Sequence, residues 1–375
     1  MPKPFYLIGH NTNSLNDVKR GLEAGLNAFE IDINRDENNL LYVSHELVNT
    51  NPLTMAHNPQ PLAPRVSQFL TGLKSLADAA DGRLALLILD CKIDDPALAL
   101  ALLGDVRNHF SEQGTTQRVI FSVPNVDHAK QLFVGLHARL TEREGLMIDQ
   151  EADVTVVEQY FRENKTARAG YGNGITTVLG VGLPSPQLVS QMDAAVALSA
   201  LGSPTFVYPW VLARQTTMHQ HLSIGVSGAM VDVEQSSDLV QVVRQADVPT
   251  ARVADDPFLP ITAIVLKVLT ADVSHAGTDA MLSFTLSASS GATYTRKVDG
   301  SYAGRFERGQ ATWITLWDCP FTLSQLSTIV VSHDGSGNAP DWALESITLT
   351  MRDGTSKTVV FDTVVTAGPG VSKAL

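Results

Sequence analysis

The chain has 375 residues, 44% of them hydrophobic and 18% charged, with a formal net charge of −12. That length suits two domains or one large barrel with an appendage. The acidic balance excludes a nucleic-acid footprint and a polybasic membrane patch, no stretch reaches the roughly 20 apolar residues of a membrane span, and two distant cysteines, Cys91 and Cys319, exclude a disulfide framework.

The first ten residues run straight into a strand-like segment and lack the basic, apolar and small-residue order of a signal peptide. Strand-like runs follow at residues 5–9, 28–33, 84–90, 119–122, 146–148, 174–179, 205–210 and 228–231. Helical patterns lie between them, at 14–24, 96–110, 126–134 and 186–198. Ser14 reads as an N-cap and Gly25 as the glycine that ends the first helix. Eight β-then-α units with continuous apolar strands predict a parallel (β/α)8 TIM barrel over residues 1–258. A doubly wound sheet is the structural alternative. After Pro257 and Pro260 the texture changes to runs of period two, separated by turns such as Asp299-Gly300 and Asp353-Gly354. That pattern predicts an antiparallel β-sandwich over residues 261–375.

Glu30-Ile31-Asp32 is the most informative tripeptide. Residues i and i+2 of a strand point to one face, so both carboxylates aim together at the strand's C-terminal end, where barrel active sites sit. Two like charges so close repel unless a proton or cation lies between them. Asp90 closes another apolar strand, and three carboxylates converging there form a hard oxygen site suited to Mg²⁺. Pairing with Arg or Lys is the alternative for Glu30 and Asp32. His10 closes the first strand and His45 follows Leu-Tyr-Val-Ser. Imidazoles beside an acidic pair suit proton transfer or nucleophilic attack on phosphorus. Lys92 shares Asp90's face and is placed to neutralise phosphate charge, or is a solvated loop lysine.

Ile8-Gly9-His10, the segment Gly25 to Asp32, His45, Asp90-Cys91-Lys92, residues 172–176, Val207 to Trp210 and residues 251–258 together resemble the sphingomyelinase D/phospholipase D family of spider venoms and its bacterial and fungal relatives. That family is itself similar to glycerophosphodiester phosphodiesterases, and the resemblance covers residues 5–258. It implies Mg²⁺ held by Glu30, Asp32 and Asp90. It implies that His10 and His45 are the acid–base and nucleophile pair. Lys92 and Trp210 are then expected to line a headgroup pocket, with Trp210 against a choline-like cation. The implied reaction expels a headgroup alcohol from sphingomyelin or a lysophospholipid by attack of the lipid's own hydroxyl, giving a cyclic phosphate. A secreted protein is expected, with any signal peptide absent from this chain; a cytoplasmic one is the alternative.

Three departures matter. Ala213 stands where the family often has Asp, Asp232 replaces a strand-eight Asn, and residues 46–64 replace a cysteine-rich loop. Asp232 is therefore the expected source of a carboxylate for the headgroup. In the closing motif, Arg252, Asp256 and Phe258 replace Thr, Asn and Trp. The rival enzyme is a glycerophosphodiester phosphodiesterase acting on soluble diesters, whose usual His-Arg and His-Asp pairs read His10-Asn11 and His45-Glu46 here. A lipid-binding protein without catalysis is a third reading.

Residues 277–280, Phe306, Arg308-Gly309, Asp334-Gly335 and residues 340–344 resemble a PLAT/LH2 domain. That resemblance implies attachment to membranes or partner proteins. Trp313 and Trp317 fall on one strand face with Thr315, as an interfacial anchor or as packing between the sheets. Asp272, Asp279 and Asp334 are a candidate Ca²⁺ set, or simply turn residues.

Overall fold

The computed structural model describes residues 3–45, 63–111, 117–174, 186–260, 263–302, 304–338 and 340–375. The N-terminal part contains β1 (Tyr6–Gly9), β2 (Ala28–Arg35), β3 (Leu41–Val43), β4 (Leu86–Cys91), β5 (Arg118–Val123), β6 (Glu144–Ile148), β7 (Ala169–Gly174), β8 (Phe206–Trp210) and β9 (Gly228–Val231). Helices α1 (Leu15–Ala24), α2 (Val66–Ala79), α3 (Pro96–Val106), α4 (Val126–Leu132), α5 (Val154–Glu163), α6 (Pro186–Leu201), α7 (Gln215–Ile224) and α8 (Ser236–Gln245) lie between the strands. The ladder runs β8-β7-β6-β5-β4-β2-β1-β9, all parallel, and β3 folds back antiparallel on β2. The ring nearly closes: the Ser227 amide, just before β9, donates to the Val207 carbonyl of β8 at 2.7 Å. This is the expected barrel.

Strand alternation sorts the side chains into two layers. Tyr6, Ile8, Ala28, Leu86, Ile88, Ile120, Met147, Phe206, Tyr208 and Met230 pack together inside the ring. The residues between them, such as Leu7, Phe29, Leu87, Phe121, Ile148 and Val207, pack outward against the helices. Each fully buried aliphatic side chain of this kind contributes roughly 2 kcal/mol. Phe258 plugs the far end of the barrel: a Cβ on Gly145 would meet its Cζ at 2.1 Å. Asp256 beside it pairs with Arg168 at 2.6 Å.

Local signals read correctly where the chemistry is local. The Ser14 hydroxyl accepts from the Asp17 amide at 3.1 Å, and Gly25 ends α1 with φ at 102°. One strand is displaced. The expected strand at 174–179 lies almost wholly outside the described residues, and β7 is Ala169–Gly174 instead. Its sequence, Ala-Gly-Tyr-Gly-Asn-Gly, has no apolar run because its inward positions are glycines, and the bulk of Tyr208 and Trp210 on the neighbouring strand fills that space.

The C-terminal part forms two antiparallel sheets. One is β13 (Ala311–Leu316), β10 (Ile264–Thr270), β15 (Trp342–Thr350) and β16 (Ser356–Val365); the other is β12 (Thr293–Asp299), β11 (Met281–Ala288), β14 (Leu326–His333) and β17 (Val371–Ala374). Phe284, Phe306 and Trp342 fill the space between them. The buried Trp342 indole donates to the Thr270 hydroxyl at 3.0 Å.

Trp313 and Trp317 correct both expectations made for them. They pack against the barrel, beside Ala197 and Ala200 of α6, and a Cβ on Gly225 would meet Trp317 at 2.6 Å. The Arg296 guanidinium lies 4.1 Å from the Trp317 ring centre. Nearby, Arg305 grips Asp193 of α6 through two hydrogen bonds of 2.7 Å, both side chains buried.

Candidate active site

Strand parity places most of the side chains at the barrel mouth. His10, Glu30, Asp32, Asp90, Asp149, Tyr208, Trp210 and Asp232 continue the inward-facing positions of their strands. All but Asp232 line one cleft at the C-terminal mouth of the barrel, together with His45, Lys92, Gln150 and Met230. Asp232 stands behind His10, 2.8 Å from its Nδ1.

Glu30, Asp32 and Asp90 are buried, and each brings a carboxylate oxygen to within 4.8 Å of the others. Burial, then the charges of Asp32 and Asp90, hold the Glu30 carboxyl well above its usual range. Burial also raises Asp90, although Lys92 works against it. The segment after β1 braces the acids. The Asn11 amide donates to Glu30 Oε2, and Asn13 donates from Nδ2 to Asp32 Oδ2 at 2.7 Å while accepting from the Asp32 amide at 2.9 Å. Three carboxylates without thiol or imidazole form a donor set for a hard divalent cation.

Lys92 is bound into this cluster. Its ammonium donates to Asp90 Oδ2 and lies 3.1 Å from Asp32 Oδ1. Burial depresses its pKa, but those two charges outweigh burial and raise it overall. The solvated-loop alternative for Lys92 is therefore overturned. His45 reaches the same cleft by the β3 hairpin, where the Ser44 amide donates to the Asp32 carbonyl at 3.1 Å. Residues 46–62, most of the segment that replaces the cysteine-rich loop, lie outside the described residues, as do Ile175 and Thr176.

Trp210 lines the cleft, with its indole donating to the Asp149 carbonyl at 2.7 Å. Asp149 itself escaped notice in the sequence. Parity was the available signal: it follows β6 in step with inward Met147. Asn11 and Asn13 were missed because bracing residues in a loop carry no periodic pattern. In the C-terminal part, Asp272, Asp279 and Asp334 do not converge; among the described residues the barrel triad is the carboxylate group able to hold a metal. Asp272 instead pairs with Arg308 at 2.7 Å, and Asp334 accepts from the Ser336 amide within a turn. The expected Ca²⁺ site is not supported.

A family model described as dermonecrotic toxin SPH matches residues 1–258, and a PLAT/LH2 domain model matches residues 264–365. Dermonecrotic toxin LiSicTox-alphaIA1bi of Loxosceles intermedia is 27% identical over 255 residues, covering 61% of this chain and 79% of the toxin. Dermonecrotic toxin LgSicTox-alphaIC1 of Loxosceles gaucho is 26% identical over 270 residues, covering 65% of this chain and 91% of the toxin. Among solved structures, a putative glycerophosphoryl diester phosphodiesterase from Silicibacter pomeroyi aligns with a TM-score of 0.47 at 16% identity, over 67% of this chain and 97% of that one. No described helix is long and apolar enough to cross a membrane.

Proposed function

The chain belongs to the dermonecrotic toxin SPH family, whose members are sphingomyelinase D-type phosphodiesterases, and on that premise we propose that it is a Mg²⁺-dependent phospholipase D acting on sphingomyelin or lysophospholipids. The observation that carries this reading is the meeting of two histidines and three carboxylates in one cleft. Residues 1–258 form the catalytic unit in this proposal, and residues 261–375 form a PLAT-type unit that brings it to a lipid surface. The protein acts outside the cell.

Glu30, Asp32 and Asp90 hold the ion, which when bound neutralises phosphate charge and polarises the phosphorus centre. His10 and His45 divide the two proton transfers. One imidazole takes the proton of the lipid hydroxyl as its oxygen bonds to phosphorus. The other protonates the headgroup oxygen as its bond to phosphorus breaks. The products are a cyclic phosphate and the free alcohol. Asp232 fixes His10 by accepting from Nδ1, which leaves Nε2 for the reacting groups. In this arrangement Asp232 is a positioning residue. Lys92, tied to Asp90 and Asp32, sets the orientation of the metal-binding carboxylates and adds positive charge beside the phosphate.

Phosphorus NMR of the products from sphingomyelin, lysophosphatidylcholine and lysophosphatidylethanolamine with Mg²⁺ tests the proposal. A cyclic phosphate and a released headgroup alcohol are expected. Glycerol 3-phosphate from soluble diesters, with no lipid turnover, would replace it with the glycerophosphodiesterase reading.

A further inference from the structure

A cavity of about 400 Å³ lies where the sandwich meets the barrel. Asp193 of α6 with Ser223 and Ile224 of α7 form its barrel wall, and β12 and β13 form much of its sandwich wall. The reaction proposed above uses none of these residues. The volume falls in the range of small-molecule sites, which collect at domain interfaces.

Arg296 of β12 is the unusual member. Its guanidinium lies over the Trp317 ring, 4.1 Å from the centre, and donates from Nη2 to the Ser223 carbonyl at 2.9 Å. Its Nε is buried and has no hydrogen-bond partner. Burial holds its pKa below the usual arginine range. No carboxylate among the described residues forms an ion pair with it. Ser223 belongs to the last turn of α7, and the carbonyl end of a helix carries roughly half an elementary charge. Part of a full positive charge is therefore left uncompensated and drawn out of water, a condition that favours an anionic partner.

The acids nearby are already engaged. Asp193 is held by Arg305 through two hydrogen bonds of 2.7 Å. Asp299 Oδ1 accepts from the amide and the hydroxyl of Ser301, at 2.9 and 2.6 Å. Asp318 accepts from the Tyr294 hydroxyl. Lys297, also on the cavity wall, enters no ion pair among the described residues. Beyond the neutral pair of Arg305 and Asp193, the wall thus sets Arg296 and Lys297 against Asp299 and is net positive. Tyr302 and Thr315 add hydroxyl-bearing side chains, and Ile224 and Trp313 add apolar ones. A guanidinium beside an ammonium suits the several acceptor oxygens of a phosphate group.

We propose that this cavity binds a phosphate monoester, its charge completing that of Arg296 and Lys297 and its body lying against Trp313. An anion seated there touches α7 and β12 together, so it strengthens the junction between barrel and sandwich. The same phosphate group arrives on a small soluble ester or on a lipid headgroup.

Calorimetric titration tests this, with chelator present to keep divalent metal off the acid triad. The probes are glycerol 3-phosphate, for a soluble source, and phosphatidylcholine vesicles carrying phosphatidate, for a lipid one. Saturable binding of at least one probe, at one site per chain, is expected. R296M should weaken it about thirtyfold or more, as for loss of a desolvated charge partner. Binding of glycerol 3-phosphate supports the soluble source, and binding of the vesicles alone supports the headgroup. No binding of either probe, or binding that R296M leaves intact, would overturn the proposal. Circular dichroism of R296M without probe separates lost binding from lost fold. Should R296M not fold, K297E takes its place: an affinity lowered about tenfold or more is expected from like-charge repulsion, and an unchanged affinity counts against the site.

Discussion

The Asp232 carboxylate lies 2.8 Å from His10 Nδ1, joining residues 222 positions apart across the ladder between β1 and β9. A strand-end histidine held in this way presents one defined ring nitrogen to the cleft. D232A should lower kcat by roughly tenfold to a hundredfold, with little change in KM, by analogy with other residues that orient a reacting imidazole. D232N should retain more activity, because its amide oxygen still accepts from Nδ1. Steady-state kinetics of both variants check this. Equal losses in the two would show that Asp232 acts through its charge and not through orientation.

The acid triad predicts opposite effects with and without metal. Burial and like-charge repulsion act on Glu30 when no cation is present. E30Q should therefore raise the melting temperature of the metal-free protein by a few degrees, since one repelling carboxylate is removed. Mg²⁺ should stabilise the wild type and leave E30Q almost unmoved. Thermal melts with chelator and with Mg²⁺ read both effects without any assay of activity.

Arg305 and Asp193 tie the sandwich to α6 through a buried, two-pronged ion pair. Burial raises the Asp193 carboxyl even against the arginine's charge, so desolvation is the larger effect on this acid. Removing one partner strands the other. D193A should cost about 3–5 kcal/mol, measured by chemical denaturation. The double replacement of Asp193 and Arg305 by Leu and Met should recover much of that loss. No recovery would mean that the pair is net stabilising in itself.

His221 gives a pH signature of stability. Burial depresses its imidazole to about 4, and its hydrogen bond to the Thr217 carbonyl at 2.9 Å offsets this only in part. In the unfolded chain the group has its ordinary value of 6.5. Between those values the unfolded chain binds more protons than the folded one. Stability is therefore intact above the unfolded value and falls as pH drops from 6.5 toward 4. The loss reaches roughly 3 kcal/mol at the bottom of that window. H221Q should flatten this stretch of the profile, as read from urea midpoints at pH 7 and pH 5.

The barrel and its acid–histidine pattern were legible because both depend on strand parity. Glu30, Asp32 and Asp90 sit at inward positions near the ends of apolar strands, and alternation alone aims them together. The His10 to Asp32 spacing spans one β-then-α unit, so it survives as a pattern in the chain. β7 was misplaced because its inward positions are glycines, and an apolar-run criterion has nothing to register there. Trp313 and Trp317 were assigned to a solvent face or to the sandwich interior, because a strand's sequence shows which residues share a face but not what covers it.

By itself, then, the sequence determined the two architectures and the residues that meet near the carboxylate triad. Their placement follows from local periodicity and from adjacent strands. Only the tertiary structure decided the partners drawn from distant parts of the chain: Asp232 on His10 across adjacent β9 and β1, Asp149 beside Tyr208 and Trp210 across glycine-bearing β7, and Asp193 under Arg305. Closing a sheet into a barrel brings together residues whose separation in the chain carries no periodic signal. For such pairs, ring closure and domain packing set the distance.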